Sequence, residues 1–199
     1  MMRTSWDEKY AVDEYVFGKE PNVFFKEFID NKIPGKMLLP AEGEGRNAVY
    51  AAQKGWETDA FDVSVEGFKK AMKLASEKSV SINYFISDIA DVQIPENEYD
   101  VIALIFCHLH SEIRNTIHQK MIKGLKSGGF IVLQSFSQKQ LPLTTGGPKD
   151  IEMLYNTDIL ALDFSKLKII HSVEKLICLD EGPRHSGWSE NVLFIAQKF

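Results

Sequence analysis

Short apolar runs alternate with stretches of helical spacing five times between residues 36 and 136. The runs cover residues 36–40, 58–61, 81–86, 99–106 and 130–136. Between them, apolar side chains recur at the three- and four-residue spacing of a helix with one buried face. Such an alternation predicts an α/β fold with a parallel, doubly wound sheet. The nearly unbroken apolar run 99–106 is typical of a strand buried on both faces.

The last third of the chain has a different pattern. A loop rich in Gln, Pro, Thr and Gly covers 137–150, a short helix is expected over 150–160, and strand-like runs cover 167–179 and 191–198. The segment between those two runs is too short for a helical crossover, so they should be antiparallel neighbours. We expect a mostly parallel, seven-stranded sheet with an antiparallel last strand. One domain would then span 1–199, with an N-terminal arm (1–35), a βα core (36–136) and a C-terminal loop and hairpin (137–199).

Residues near the predicted helix ends suggest where those helices begin and stop. Ser64 and Ser111 are predicted N-caps, and Pro21 is expected at a first helical position. The helix after Ser111 is expected to close at the Ser-Gly-Gly step of residues 127–129.

Composition excludes several classes of protein. With 28 acidic and 23 basic residues the formal charge is −5, which disfavours a nucleic-acid partner. No apolar run reaches the ~18–20 residues of a membrane span, and the first residues lack the apolar stretch of a signal peptide. Cys107 and Cys178 form neither a disulfide framework nor a metal-binding spacing. We therefore expect a cytoplasmic protein without a metal site, while its oligomeric state is not predicted.

Candidate ligand-binding segments follow four of the predicted strands, because open α/β sheets bind ligands at the carboxyl ends of their strands. They are the glycine-containing loop 40–48, Asp62, Asp88 and the segment 106–108. We expect the helix after the loop to offer free N–H groups to a carboxylate or phosphate. Asp62 is placed to accept hydrogen bonds from the hydroxyls of a ribose, and Asp88 to meet the amine of an adenine.

Two cofactors fit this arrangement. The spacing Gly43-x-Gly45-x-x-Ala48 matches the dinucleotide fingerprint and keeps an NAD-dependent oxidoreductase open. However, Glu42 and Glu44 would repel a pyrophosphate. A cofactor with a cationic centre, one adenosine and no phosphate suits these residues better, which favours S-adenosylmethionine.

Seven stretches carry a resemblance to a known family. They are Trp6-Asp7-Glu8-Lys9-Tyr10, residues 15–22, Gly43-Glu44-Gly45-Arg46-Asn47, Asp62-Val63-Ser64, Cys107-His108-Leu109, Thr145-Gly146-Gly147-Pro148 and residues 181–187. Through them the chain resembles class I S-adenosylmethionine-dependent methyltransferases, in particular the small enzymes related to tellurite-resistance methyltransferases. It departs from the family at Leu39, where an acid is usual, and at Ala41, where a glycine is usual. Glu42 or Glu44 could supply the missing negative charge to the ammonium of the cofactor.

The resemblance and the residues after the strands together predict a cofactor-binding set, and the position of the titratable residues predicts an acceptor-binding set. The cofactor set is Ala41, Glu42, Gly43, Gly45, Asn47, Asp62, Val63, Ser64, Asp88, Ile89, Phe106 and Cys107. His108 and His110 are the catalytic candidates, because a histidine titrating near neutral pH could deprotonate or orient an acceptor. Arg114 and His185 are the candidates for binding the acceptor, and residues 144–148 are a candidate lid.

The predicted function is transfer of a methyl group from S-adenosylmethionine to a small molecule, with a thiol or chalcogen acceptor favoured by the resemblance. Cys107 is interpreted as a small core residue beside the cofactor, because it continues an apolar run. Trp6 and Tyr10 could cover the cofactor. The alternatives are an NAD-dependent oxidoreductase and a protein that binds S-adenosylmethionine without catalysis.

Overall fold

The described residues form seven β-strands and six α-helices. The computed structural model describes residues 2–199, with side chains from Thr4 onward. The strands are β1 (Lys36–Pro40), β2 (Glu57–Asp62), β3 (Asn83–Ile86), β4 (Tyr99–Ile105), β5 (Leu125–Phe136), β6 (Lys168–Asp180) and β7 (Ser186–Gln197). The helices are α1 (Met2–Tyr10), α2 (Val23–Ile29), α3 (Arg46–Gln53), α4 (Val65–Glu77), α5 (Ser111–Gly124) and α6 (Thr157–Asp163).

All seven strands belong to one sheet, in the order β3-β2-β1-β4-β5-β7-β6. The pairs β1–β2, β2–β3, β1–β4 and β4–β5 are parallel. Strand β7 lies between β5 and β6 and runs antiparallel to both. The predicted mixed sheet with its antiparallel last strand is thus confirmed. The strand order reverses between β1 and β4, and the carboxyl ends of these two strands flank the point where such sheets bind ligands.

Apolar side chains fill the space on both faces of the sheet. One core cluster joins the strands to α5 and α6 through residues such as Met121 and Phe164. The other joins them to α2, α3 and α4 through Phe25, Ala48 and Leu74. Residues 101–104 of β4 are at most 1% exposed, as expected for a strand covered by helices on both faces.

Two predicted helix boundaries are wrong by a few residues, for local reasons. His110, rather than Ser111, is the N-cap of α5, and its Nδ1 accepts the backbone N–H of Glu112 at 3.4 Å. Helix α5 ends at Gly124, before the Ser-Gly-Gly step, because the chain passes directly into β5. Ser64 does cap α4, as its hydroxyl accepts the N–H of Gly67 at 3.0 Å.

In the arm, Pro21 precedes the helix instead of opening it. Asn22 is the N-cap of α2, and its side-chain oxygen accepts the N–H of Phe25 at 2.9 Å. The helix therefore begins at Val23.

The single helix predicted over 150–160 is divided in two. A 3₁₀ turn covers Ile151–Met153, and α6 begins at Thr157, where Asn156 caps it. Between them Tyr155 is fully buried and bridges Ser137 next to the sheet. Burying that aromatic ring in the core requires extended backbone, which interrupts the helix.

Among the helices of the described chain, none has the length and hydropathy of a bilayer span.

Candidate active site

A cavity of about 970 Å³ lies at the carboxyl ends of the parallel strands. Its volume is at the upper end of the range for small-molecule sites. Of the predicted site residues, twelve border it: Ala41, Glu42, Asn47, Asp62, Val63, Asp88, Ile89, Phe106, Cys107, His108, His110 and His185. The topology of the sheet therefore brings all four predicted segments and the C-terminal hairpin to one cavity.

The loop after β1 turns sharply through three residues with positive φ. Ala41, Gly43 and Gly45 have φ values of 53°, 61° and 84°. A Cβ atom on Gly45 would lie 2.5 Å from the Cβ of Ala71, so a glycine is required for α3 and α4 to approach each other. Gly43 and Gly45 do not border the cavity; they shape the backbone that carries Glu42. Ala41 adopts the left-handed conformation despite having a Cβ, which costs about 1–2 kcal/mol.

Glu42 occupies the N-terminus of α3. Its Oε1 accepts the backbone N–H groups of Asn47 at 2.7 Å and of Ala48 at 2.8 Å, and its Oε2 accepts the Asn47 amide at 3.3 Å. The expectation that this helix offers free N–H groups to a bound carboxylate or phosphate is therefore wrong. Burial raises the pKa of Glu42 to about 7, although these hydrogen bonds favour the ionised form.

The carboxylate of Glu44 binds the N-terminal arm and a lysine of α4. Its carboxylate accepts the backbone N–H groups of Val16 at 3.1 Å and Phe17 at 3.2 Å, and it forms an ion pair with Lys70 at 2.8 Å. The side chain thus fastens the N-terminal arm to the core. Of the two acids proposed to supply the missing negative charge, only Glu42 has no cationic partner among the ion pairs of the described residues.

Asp62 ends β2 and is 7% exposed. Its Oδ2 accepts the N–H of Gly43 at 3.0 Å, and its Oδ1 accepts the N–H of Ser64 at 2.9 Å. Burial raises the pKa of this carboxyl group. Each oxygen keeps a lone pair, so the group can still accept hydrogen bonds from a ligand. Ser64 itself lies outside the cavity, where it caps α4 and donates a hydrogen bond to Asp7 at 2.6 Å.

The segment after β4 approaches the cavity from the other side. Cys107 is buried, and burial raises the pKa of its thiol to about 12. The thiol therefore stays protonated, which agrees with its interpretation as a core residue rather than a nucleophile. Phe106 has a φ of 53° and packs 4.9 Å from the ring of Phe136, which forms part of the cavity wall.

His108 is held as a neutral imidazole. Its Nδ1 lies 2.9 Å from the carbonyl oxygen of Met153, which can only accept, so Nδ1 carries the proton and Nε2 carries the lone pair. Burial lowers the pKa of the ring to about 4. The expectation that this histidine titrates near neutral pH is therefore wrong. Its Nε2 is buried without a hydrogen-bond partner in the described chain.

The other two candidates on the following helix have structural partners. His110 caps α5 at the outer edge of the cavity. Arg114 lies outside the cavity lining and forms a 2.7 Å ion pair with Asp163 of α6, which also receives the buried His118. The prediction that Arg114 binds the acceptor is not supported by this geometry, because its guanidinium already holds α5 to α6.

His185 lies in the hairpin between β6 and β7. Its ring packs 4.5 Å from Phe17 and 4.4 Å from Phe106. Its Nδ1 is 3.6 Å from the carboxylate of Glu181, longer than a hydrogen bond, and is buried without a partner among the described residues. Burial lowers its pKa as well.

A buried polar network, which the sequence did not predict, supports this hairpin. Glu181 forms an ion pair with Arg46 at 2.7 Å and accepts a hydrogen bond from Asn22 at 2.8 Å. Asn22 also donates to Gln134 at 2.9 Å. The network joins the arm, α3, β5 and the hairpin. No local pattern marks it, since its members are up to 159 residues apart in the sequence.

The N-terminal arm and the loop 144–148 complete the walls. Trp6 and Tyr10 border the cavity with their rings stacked at 5.4 Å, and Lys9 borders it beside them. The candidate lid residues 144–148 also border it. Their role in gating stays a prediction.

Comparison with known proteins agrees with this geometry. Residues 40–129 match the family model described as a methyltransferase domain. Two solved structures share the fold along nearly the whole chain. One, from work on the conversion of a disulfide bond into a thioacetal group during echinomycin biosynthesis, has a TM-score of 0.74 at 17% identity and covers 100% of this chain and 92% of the other. TehB from Haemophilus influenzae has a TM-score of 0.73 at 16% identity, covering 99% of this chain and 67% of the other.

Residues 40–129 thus match a methyltransferase domain, and the seven-stranded mixed sheet is the fold of the class I methyltransferases. This match favours a methyltransferase site over the dinucleotide alternative. The position of Glu42 gives the physical reason, because a carboxylate already occupies the helix N-terminus where a pyrophosphate would bind.

A curated relative with a named substrate is the ajmaline N-methyltransferase of Rauvolfia serpentina. It is 25% identical over 122 residues, which are 59% of this chain and 42% of that enzyme. The chain thus spans less than half of that relative's length.

Proposed function

We propose that this chain transfers the methyl group of S-adenosylmethionine to a small-molecule acceptor. The observation that carries the proposal is a single cavity that joins the buried Asp62 and the half-buried Asp88 to two histidines whose pKa is lowered by burial. Asp62 and Asp88 border one part of it, and His108 and His185 border another. The buried carboxylate of Asp62 can accept further hydrogen bonds and has no ion-pair partner among the described residues, which suits the hydroxyls of a ribose.

The bound cofactor supplies an electrophilic methyl group, and the protein aligns an acceptor with it and excludes water. His108 can accept a hydrogen bond at Nε2 from an acceptor's X–H group, since its Nδ1–H is fixed on Met153. With a pKa of about 4 it is a weak base at neutral pH. We therefore infer that His108 orients the acceptor more than it deprotonates it.

A thiol or chalcogen acceptor fits these groups better than an amine. Lys9 and Arg184 both border the cavity, and no carboxylate forms an ion pair with either among the described residues. Burial and the nearby Arg184 lower the pKa of Lys9. Two cations attract an anionic acceptor and repel a protonated amine. A thiolate or similar anion also needs no general base, which agrees with the low pKa of His108.

Methylation of an amine is the second candidate, because the relative from Rauvolfia serpentina is an N-methyltransferase. Such an acceptor would have to reach the cavity unprotonated, as His108 is too weak a base to remove an ammonium proton at neutral pH.

Calorimetric titration tests the cofactor site. We expect S-adenosylmethionine and S-adenosylhomocysteine to bind, and NADH not to bind. Replacing Asp62→Asn keeps an acceptor for only one of the two backbone N–H groups, from Gly43 and Ser64, and should weaken both ligands roughly 10- to 100-fold. The matched control is Asp59→Asn, an acid of the same strand that bonds Tyr99 and Asn83 away from the cavity. Equal affinities in the Asp62 and Asp59 variants would show that the ribose site is elsewhere.

An acceptor screen tests the reaction. Formation of S-adenosylhomocysteine is measured with small thiols, inorganic chalcogen anions and primary to tertiary amines at pH 7.5. Turnover with thiols or chalcogen anions, lost in Arg184→Gln, is the expected result. Turnover with amines alone would contradict the proposed acceptor class, and tight cofactor binding without turnover on any acceptor would favour a non-catalytic binding protein.

A further inference from the structure

Six ring side chains form one continuous wall of the cavity, which we call the aromatic wall. They come from α1, the arm, the β6–β7 hairpin and the ends of β4 and β5, and all of them border the cavity: Tyr10, Phe17, His185, Phe106, Phe136 and His108. In this order, the centroids of successive rings lie 6.3, 4.5, 4.4, 4.9 and 5.6 Å apart. Such separations are typical of attractive contacts between rings.

The aromatic wall keeps surface and polar atoms that its own contacts do not use. Phe17 and Phe106 are half-buried, and both border the cavity. Two buried nitrogen atoms of the wall, Nε2 of His108 and Nδ1 of His185, have no hydrogen-bond partner in the described chain. Native cores leave few such groups unpaired, and a role in binding is a common reason for the exceptions.

The acids of the cavity lie on other segments. Asp62 and Asp88 follow β2 and β3, and Phe61 beside them stacks on Phe85 of β3 at 5.3 Å. The ribose and adenine of the cofactor are proposed for that part of the cavity. The aromatic wall includes His108, the residue proposed to orient the acceptor, so the wall is assigned to the acceptor.

Two cations border the cavity next to the aromatic wall. The Nζ of Lys9 lies 3.9 Å from the centroid of the Trp6 ring, and Arg184 directly precedes His185 in the hairpin. Burial and the charge of Arg184 lower the pKa of Lys9, so the two cations lie close to each other. A ligand that combines a planar ring with a negative charge matches both the rings and the cations.

We propose that the acceptor is an aromatic thiol or selenol whose ring packs against the aromatic wall. The inference rests on the proposed methyl transfer and narrows its acceptor class. In that reaction a thiol loses its proton to solvent, and an electron pair of its sulfur forms the bond to the methyl carbon. The electrons of the broken bond return to the sulfur of S-adenosylhomocysteine, and the other product is an aryl or arylalkyl methyl thioether.

Inorganic chalcogen oxyanions fit the aromatic wall poorly. An oxyanion that leaves water needs hydrogen-bond donors to replace its hydration. The wall presents mainly the faces and edges of rings, and Nε2 of His108 carries a lone pair instead of a proton. An aromatic ring, in contrast, gains from the same surface through burial and ring contacts.

Two matched thiols separate the contribution of the ring from that of the thiol. Phenylmethanethiol and cyclohexylmethanethiol share the CH₂–SH group and a six-membered ring, but only the first ring is planar and aromatic. The cyclohexyl ring has more hydrogen atoms and is the more apolar, so burial alone would favour it. In calorimetric titrations of the protein saturated with S-adenosylhomocysteine, we expect phenylmethanethiol to bind about fivefold more tightly. The same preference should appear in kcat/KM when formation of S-adenosylhomocysteine is measured.

A pair of variants assigns that preference to the aromatic wall. Phe17→Leu removes one ring and keeps an apolar side chain, so the preference for phenylmethanethiol should fall about threefold. The matched control is Phe28→Leu, because Phe28 is a half-buried residue of α2 that packs 5.5 Å from Phe130 outside the cavity. It should keep the wild-type preference. Since both thiols are compared on the same sample, a loss of folded protein does not change their ratio.

Equal affinities for the two thiols in the wild-type protein, or no binding of either, would overturn the inference. Turnover of selenite without turnover of either thiol would overturn it too, and the proposed methyl transfer would stand. Failure of S-adenosylhomocysteine itself to bind would overturn the proposed function, and the inference with it.

Discussion

Removing the charge of Glu181 should cost this protein about 3 kcal/mol of its unfolding free energy. The carboxylate lies 2.7 Å from the guanidinium of Arg46, and each side chain is only 7% exposed. Its hydrogen bond from Asn22, at 2.8 Å, also ties it to the arm. Glu181→Gln keeps the size and a hydrogen-bond acceptor but leaves Arg46 buried without a counter-ion, and breaking such a pair costs about 3–5 kcal/mol.

The pKa of Glu181 gives a second estimate. Despite the opposing effect of burial, His185 and Arg46 lower this pKa from 4.5 to about 2. A shift of that size corresponds to about 3 kcal/mol of stability. Since the pKa is lower in the folded state, the contribution is fully present above pH 4.5. It falls as the pH drops toward 2, by about 1.4 kcal/mol per pH unit.

Urea unfolding, followed by circular dichroism, measures both effects. The gap between the wild-type protein and Glu181→Gln should be widest at pH 7 and should narrow below pH 4.5. The control is Glu77→Gln, which removes one partner of the exposed Lys19–Glu77 pair at the same 2.7 Å distance. No measurable loss is expected there. If both variants lose equally little at pH 7, the buried charge of Glu181 does not hold the hairpin to the core.

Two further predictions concern the loop and the buried histidine. Gly45→Ala should destabilise the protein by about 1–3 kcal/mol more than Gly128→Ala, as both have positive φ but only Gly45 would clash with Ala71; equal melting temperatures would show that α4 moves aside freely. His108→Gln should flatten the pH dependence of stability between pH 6.5 and 4. In the wild type, lowering the pH through this range protonates the imidazole of the unfolded chain but not the buried ring. The free energy of unfolding should therefore decrease by roughly 1–3 kcal/mol as the pH is lowered from 6.5 to 4. Parallel urea midpoints of the two proteins across that range would contradict the neutral imidazole.

The sheet could be predicted from the sequence because its information is local. Alternating runs gave the strands, and the short spacing before β7 gave its antiparallel direction. The errors arose where several nearby residues could do the same task. Both His110 and Ser111 can cap a helix, and only the backbone conformation at His110 decides between them. Likewise, the helical pattern is interrupted at Tyr155 because the ring of this residue is buried in the core. The spacing of apolar residues does not reveal that burial.

The residues of the site that follow the strands were predictable for the same reason, whereas the polar network that supports the hairpin was not. Asp62, Asp88 and Cys107 follow strands directly, so parallel pairing brings them to one edge of the sheet. This network depends on contacts between distant segments, such as Asn22 with Glu181. The prediction for Arg114 failed in this way, because Asp163, 49 residues later, takes its guanidinium.

The two departures from the family pattern are connected in the structure. Leu39 stands near the end of β1, where the family usually has an acid. The acid of this chain is Glu42, three positions later, and the N-terminal N–H groups of α3 bind its carboxylate. Reaching that position requires the chain to turn at Ala41 with a φ of 53°, so an alanine takes the strained conformation that a glycine would accept freely. The loop therefore tolerates about 1–2 kcal/mol of strain at Ala41, and the hydrogen bonds that Glu42 makes to α3 offset it. The same carboxylate caps a helix and borders the cavity, so a change at Glu42 should affect stability and ligand binding together.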